Sequence, residues 1–516
     1  MKSVLTWLEK GIFFIGVLLF GGILALDILM ENTKYFCKNS VAIPNGLLIL
    51  AGILLTGVLV FLWRKYEDKI AKILQKGEKR MLLLSVILFV VELVISCEIL
   101  FAPGWDAGEV SWQAGVIAAG ERKLDNQYFS WYPNNLLITW LYSLACRITG
   151  LFGFPYSGSV IIVVVQCFLS ALGGYLLQQV AKNMFQSGTV SMIVWGIYAF
   201  WIGLLPWYMV TYSDSLGIIF PIAILWLYQS LENKKAVWQK CMLIGVLSLV
   251  GYRIKPTILI LYISIVIVMV LRLGEKHERR FRLGQLCVLL LAFILSMFLY
   301  QKINIGACLG FSLDKDQQFT MTHFAMMGLS EETNGVFDEE DVKYSSFFRD
   351  ISSRQKGNIK VIRQRIQEYG ALDLSRHLVK KTLTNFNDGT FGWGKEAEFF
   401  KKIERPEEVL SKFLKNLYYN GGMYRISLNT YMQCFWLMML LGGFLNLTIV
   451  FRKEKVHELS LMIMLSLTGL FLFVTLFEAR ARYLYVYTPF YILIGIQGYR
   501  QVLVDWHVNN QENSIG

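Results

Sequence analysis

The sequence predicts an all-α polytopic membrane protein, a bundle of about 11–13 transmembrane helices with an external helical domain. Hydrophobic residues fill 55% of its 516 positions and charged residues only 17%. Apolar runs of bilayer length recur along the chain. Lys and Arg gather in the short connectors between those runs, the asymmetry that orients membrane proteins.

Spans are expected at roughly 11–30, 44–63, 81–101, 158–178, 190–206, 215–230, 241–252, 256–271, 284–301, 429–450, 458–477 and 484–502. The first follows Lys2 and Lys10 like a signal peptide. It reaches Asp27 without an Ala-x-Ala site, and a second apolar run comes next, so it reads as an uncleaved anchor. Connector 64–80, with seven Lys/Arg against three acids, and the basic loops 231–240 and 272–282 are expected inside. That choice puts 102–134, 206–214, 252–256 and 302–428 outside. Leu136–Ile148 is apolar but short, and by parity it is re-entrant or lies in the interface.

Four regions follow: 1–80 with two spans and the basic connector, a membrane module over 81–301, an external domain over 302–428, and final spans with a tail over 429–516. In the external stretch Ile359, Ile362, Ile366 and Tyr369 recur at helical spacing, and Gly370 supplies a stop. Residues 387–394, Asn-Asp-Gly-Thr-Phe-Gly-Trp-Gly, read as a tight turn with exposed aromatics.

The net charge of +12 does not point to nucleic acid. Stretch 302–428 holds 19 Lys/Arg against 17 Asp/Glu, and most of the excess sits in connectors. Eight cysteines form no CxxC and no zinc-type spacing with histidine, so most read as small packing residues. A Cys37–Cys308 bridge outside the membrane stays open. No P-loop, GxGxxG, GxSxG or HExxH pattern occurs.

Asp106 stands out by position. It follows the apolar run Met81–Phe101 in Gly-Trp-Asp-Ala-Gly-Glu, at an outer helix mouth where a carboxylate is costly unless hydrated or paired. Glu109, three residues on, shares its side of a helical turn. The bland alternative is a capping carboxylate in a wet loop. Arg480 and Arg482, in Phe-Glu-Ala-Arg-Ala-Arg-Tyr ending at Tyr483, sit on the outer side against the charge rule, and their planar forks suit phosphate oxygens. A Glu478–Arg482 pair four apart is the structural alternative, leaving Arg480 for a phosphate. Lys255, beside helix-breaking Pro256, either meets the same phosphate or snorkels. Asp214 is a second outer carboxylate or an N-cap. Trp105, Trp131 and Tyr132 suit sugar faces or an interfacial aromatic belt. His323 and His377 receive no role.

These residues resemble the GT-C superfamily of integral-membrane glycosyltransferases, and within it the family 39-like group of protein mannosyltransferases and aminoarabinose transferases of Gram-positive bacterial type. Trp105-Asp106-x-x-Glu109, Tyr132-Pro133-Asn134-Asn135, Lys255-Pro256-Thr257 and Arg480-Ala481-Arg482-Tyr483 carry the likeness over residues 81–502. The resemblance implies a GT-C-like bundle and an inverting hexosyl- or pentosyltransferase using a polyprenyl-phosphate sugar donor, with Asp106 in the base position. The eukaryotic His-Pro-Pro element is missing, which counts against protein O-mannosylation.

The expected protein is therefore a multi-pass cell-membrane enzyme with its active site on the extracellular face. Asp106 and Glu109 are the catalytic candidates. Arg480, Arg482, Tyr483, Lys255, Tyr132, Asn134, Trp105 and Asp214 are the substrate-binding candidates. Its partners are the donor lipid, a cell-envelope glycan or glycolipid acceptor held between loop 102–134 and the external domain, and membrane lipids, with no nucleic acid. No cofactor is assigned, and a divalent cation stays open. The rival readings are a polysaccharide polymerase or ligase using lipid pyrophosphates, and a lipid or glycan transporter, which should show mid-span charges.

Overall fold

In the computed structural model, residues 2–30, 41–65, 77–121, 124–274, 278–396, 401–402, 408–451 and 456–515 are described. The chain is an all-α polytopic membrane protein. Among the described residues eight helices are long and apolar enough to cross a bilayer, and three shorter apolar ones lie at Asn45–Val58, Gly188–Gly203 and Pro256–Arg272. Among the described residues, strand is confined to an antiparallel pair, β1 (Phe101–Ala102) with β2 (Lys401–Lys402).

Each expected apolar run is helical. The elements are α1 (Lys2–Leu29), α2 (Asn45–Lys65), α3 (Gly77–Glu98), α4 (Trp105–Ala119), α5 (Asn126–Trp131), α6 (Leu136–Gly150), α7 (Ser159–Phe185), α8 (Gly188–Ile197), α9 (Ile219–Gln229), α10 (Val237–Ile254), α11 (Leu259–Arg272) and α12 (Arg279–Ile303). The 302–428 stretch contributes α13 (Met321–Met327), α14 (Glu339–Ser346), α15 (Ile351–Phe386) and α16 (Val409–Tyr418), and the bundle closes with α17 (Arg425–Leu445), α18 (Glu458–Leu476) and α19 (Thr488–Ile515). The last run begins later than expected, because Ala481–Tyr487 winds as a 3-10 turn. The ambiguous Leu136–Ile148 segment is α6, too short to cross alone, with Leu137, Ile138 and Tyr142 buried on a face that packs against α4.

Helix α1 packs on α17 and α18, and α2 packs on α17. Helix α3 lies on α7, α10 on α12, and α17 on α19. The closest backbone approach is at Gly498, where a Cβ would lie 1.9 Å from the Gly442 carbonyl oxygen. Small residues permit that crossing, as is usual between membrane helices.

Three sequence expectations change. The periodic face of α15 is not its buried one. Ile359 and Ile366 are exposed, whereas Arg354 and Asn358 are buried. The helix spends its inward face on polar ties, since the Arg354 guanidinium donates to four carbonyl groups of the 302–428 stretch, those of Ser345, Asp316, Gln318 and Phe348. Gly370 does stop the winding as expected: at φ 57° and ψ −170° it leaves helical geometry, and α15 is two helices joined across that kink. The 387–394 turn does not display its aromatics either. Phe391 and Trp393 are fully buried, and Trp201 and Trp207 donate their indole N–H groups to the Gly389 and Thr390 carbonyls at 3.0 Å each. Asp388 folds the turn by accepting from the Thr390 and Gly392 amides. Finally, the Met81–Phe101 run carries a mid-span charge that the apolar reading passed over. Glu92 is fully buried, accepts from Ser170 Oγ at 2.7 Å, and its Oε2 has no hydrogen-bond partner among the described residues. Cys37 and most of the 64–80 connector lie outside the described residues.

Candidate active site

Five segments meet at the end of the bundle opposite connectors 231–240 and 272–282. They are the start of α4, the 124–135 stretch, the 211–214 turn, and the Lys255 and 478–483 junctions. Gly104 leads into α4, and Gly108 lets the turn fold tightly, since a Cβ there would lie 2.6 Å from the Pro103 carbonyl oxygen. Trp105 is held at φ 40°, a left-handed conformation that costs a bulky residue energy and persists only where its surroundings impose it.

Asp106 lies in the first turn of α4. Its Oδ1 accepts the Tyr128 hydroxyl at 2.8 Å, and its Oδ2 meets the Tyr212 hydroxyl at 3.4 Å. Asn135 joins both phenols, donating to Tyr128 Oη at 2.7 Å and accepting from Tyr212 Oη at 3.2 Å. Burial, then the Asp106 charge, holds both tyrosine hydroxyls well above the ordinary phenol range, so each stays protonated and donates. The carboxylate is thereby aimed by the Tyr128 hydroxyl, while Tyr212 shares its single proton between Asp106 and Asn135.

Glu109 acts one step away. It accepts from Gln113 Nε2 at 2.9 Å, Gln113 accepts the Asp125 amide, and Asp125 caps the helix carrying Tyr128. Burial raises the Glu109 pKa, which Gln113 opposes and Asp125 and Asp106 reinforce. Tyr132 packs against Tyr128 with ring centroids 5.3 Å apart. Asn134 is exposed and donates only to Asn135, so the second asparagine of the pair, not the first, faces the carboxylate.

The basic residues are arranged differently from their expected pairing. Glu478 takes Arg480 Nε at 3.1 Å and the Tyr483 hydroxyl at 2.9 Å, so Arg480 already has a carboxylate partner. Arg482 turns away, its guanidinium carbon 4.2 Å from the Trp105 ring centroid and its Nη1 3.9 Å from Asp214 Oδ2. The Glu478–Arg482 pairing needs a helical turn, but Phe477 and Arg480 are extended and winding starts only at Ala481.

Lys255 does not snorkel. It is buried, ion-paired with Asp214, and lies 4.4 Å from the Tyr483 ring centroid. Burial lowers its pKa while the Asp214 charge opposes the shift. Asp214 is equally buried and spends its charge on Lys255 instead of capping a helix. The cap position of its short helix belongs to Tyr212, which makes no side-chain cap.

Tyr128 and Tyr212 are thus the site members that motif spacing did not single out, while Asn135 and Glu478 stood in motifs whose other members were taken as the site residues. The indole N–H of Trp105 is buried with no hydrogen-bond partner among the described residues, an available donor beside Asp106 and Arg482. Trp131 faces elsewhere and stacks on Phe319. No group of three or more His, Cys, Asp or Glu among the described residues is placed to hold a metal ion.

No curated protein matches this chain. The family described as conserved hypothetical integral membrane protein has a model that matches residues 5–502, and the chain belongs to that family.

Proposed function

We propose that this protein is a GT-C-type glycosyltransferase of the cell membrane. It moves a sugar from a polyprenyl-phosphate donor to a cell-envelope acceptor on the extracellular face, with inversion. The observation that carries the reading is Asp106, a carboxylate bonded by the Tyr128 hydroxyl and met by that of Tyr212, next in the chain to Trp105, whose ring lies under the Arg482 guanidinium.

The chemistry divides between those two charges. The acceptor hydroxyl attacks the anomeric carbon and gives its proton to Asp106. The bond from that carbon to the phosphate oxygen breaks, and the electron pair leaves with the polyprenyl phosphate. Its anion needs no general acid. Arg482 stabilises it, with Lys255 adding positive charge from behind Asp214. Arg480 serves this step indirectly, by fixing Glu478 and so the Tyr483 ring beside Lys255.

A transporter reading draws on one observation, the buried Glu92 within a spanning helix. Donor consumption separates the two. Purified protein in nanodiscs is given a panel of undecaprenyl-phosphate sugars and a crude envelope acceptor. Wild type is expected to consume a donor about 10²–10⁴-fold faster than Asp106→Asn. Equal rates would remove Asp106 from the mechanism and favour a ligase using lipid pyrophosphates, and transport without consumption would favour the carrier.

A further inference from the structure

Beside α5, the helix from which Tyr128 reaches Asp106, lies a solvent-facing cavity of about 440 Å³. Gln127 and Trp131 of α5, Asp314 and Gln317 of the following turn, and Phe348 and Arg349 beyond α14 line it. The walls are tied together from beneath. Arg354, fully buried, donates through Nε to the Ser345 carbonyl at 2.8 Å, through Nη1 to that of Asp316 at 2.6 Å, and through Nη2 to that of Phe348 at 2.5 Å. The Ser312 amide donates to Asn126 Oδ1 at 2.7 Å, and the Asp314 amide to Ser130 Oγ at 2.9 Å. The cavity is therefore preformed, with little ordering left for a ligand to impose.

Its chemistry selects a class. Two amides, one hydroxyl, one carboxylate and one guanidinium give the wall both donors and acceptors, the mix that sugar hydroxyls call for. Trp131 and Phe348 offer apolar rings for a C–H face, and stacking on Phe319 (centroids 5.3 Å apart, planes at 14°) holds the indole in place. With one acid and one base, the wall favours neither anion nor cation, and it is too polar for an acyl chain. A row of rings then runs towards the carboxylate: Trp131 on Phe319, Phe319 against Tyr132 at 5.4 Å, Tyr132 against Tyr128, and Tyr128 on Asp106.

We propose that this cavity is a subsite for a neutral sugar unit of a glycan acceptor, set apart from the unit whose hydroxyl reacts at Asp106. The inference rests on the transferase reading for its purpose but not for its test. Full-length protein in nanodiscs is examined by saturation-transfer difference NMR with neutral hexasaccharides of glucose, mannose and N-acetylglucosamine. At least one is expected to bind wild type and Asp106→Asn alike, and about tenfold more weakly to Trp131→Ala and to Arg349→Ala, the second at an exposed position that folding does not need. Binding by none of the three, or binding unchanged in both variants, overturns the subsite. Should Asp106→Asn lose donor consumption while no hexasaccharide binds, the subsite fails and the transferase reading stands. Should binding behave as expected while consumption ignores Asp106, the reverse holds.

Discussion

The guanidinium carbon of Arg482 lies 4.2 Å from the ring centroid of Trp105, and that tryptophan is held at φ 40° in the residue before Asp106. A cation and a carboxylate are thus tied to one strained residue, Arg482 through its ring and Asp106 through its peptide bond. Arg482→Lys keeps the charge but loses the planar stack. It is expected to reduce kcat about tenfold or more with little change in melting temperature, checked by donor consumption beside thermal unfolding.

Tyr128→Phe removes the 2.8 Å bond to Asp106 and leaves the ring packing intact. A loss of about 1 kcal/mol in aiming the carboxylate predicts a fall in kcat of roughly five- to tenfold, with KM for the donor unchanged. A change confined to KM would place Tyr128 in binding.

Asp214→Asn leaves Lys255 buried with no full counter-charge. It is expected to destabilise by about 3–5 kcal/mol, whereas Asp214→Leu with Lys255→Met recovers much of that loss. Denaturation of both variants in the same detergent tests the pair, and equal losses would show that the ion pair is not the issue.

Burial of Lys381 brings its pKa down to about 7, with Glu478 opposing, and the side chain donates to the Gly328 and Phe477 carbonyls. Burial also takes His323 down to about 4. In both cases the unfolded chain binds more protons between the folded and unfolded values, so stability rises with pH across each window. The outer domain is expected to lose stability as pH falls from about 6.5 to 4 through His323, and to gain it from about 7 to 10.5 through Lys381. Lys381→Met should flatten only the upper window, as followed by melting temperature against pH.

Gly498→Ala sets a methyl group against the Gly442 carbonyl, where no side chain can yield. A cost of about 1–3 kcal/mol is expected, with loosened α17–α19 packing, read from unfolding and from cross-linking of cysteines placed across that pair.

The helices were legible because bilayer length and charge asymmetry are one-dimensional signals, and Asp106 was legible because a carboxylate at a helix mouth is conspicuous on its own. Partnerships were not. Sequence spacing sees only neighbours on one helical turn, so it matched Glu478 with Arg482 across a stretch that is extended. It could not see Tyr128 and Tyr212 converging on Asp106 from 22 and 106 positions away. Asn134 and Asn135 differ by a single step of backbone, and only the winding of 133–135 as a 3-10 turn decides which of them faces inward. The 387–394 turn looked exposed because glycine-rich segments usually are. Its burial depends on Trp201 and Trp207, whose indoles need acceptors inside the bundle.

Helix α1 buries Phe13, Val17 and Phe20, and a Cβ at Gly16, Gly21 or Gly443 would strike Met464, Phe444 or Phe20 respectively. Its partners α17 and α18 leave the ribosome some four hundred residues later. Through most of synthesis that face has only lipid, or an insertion chaperone, to cover it. Chains truncated before residue 425 should therefore be marked for degradation by their first helix, however well the helices between have packed.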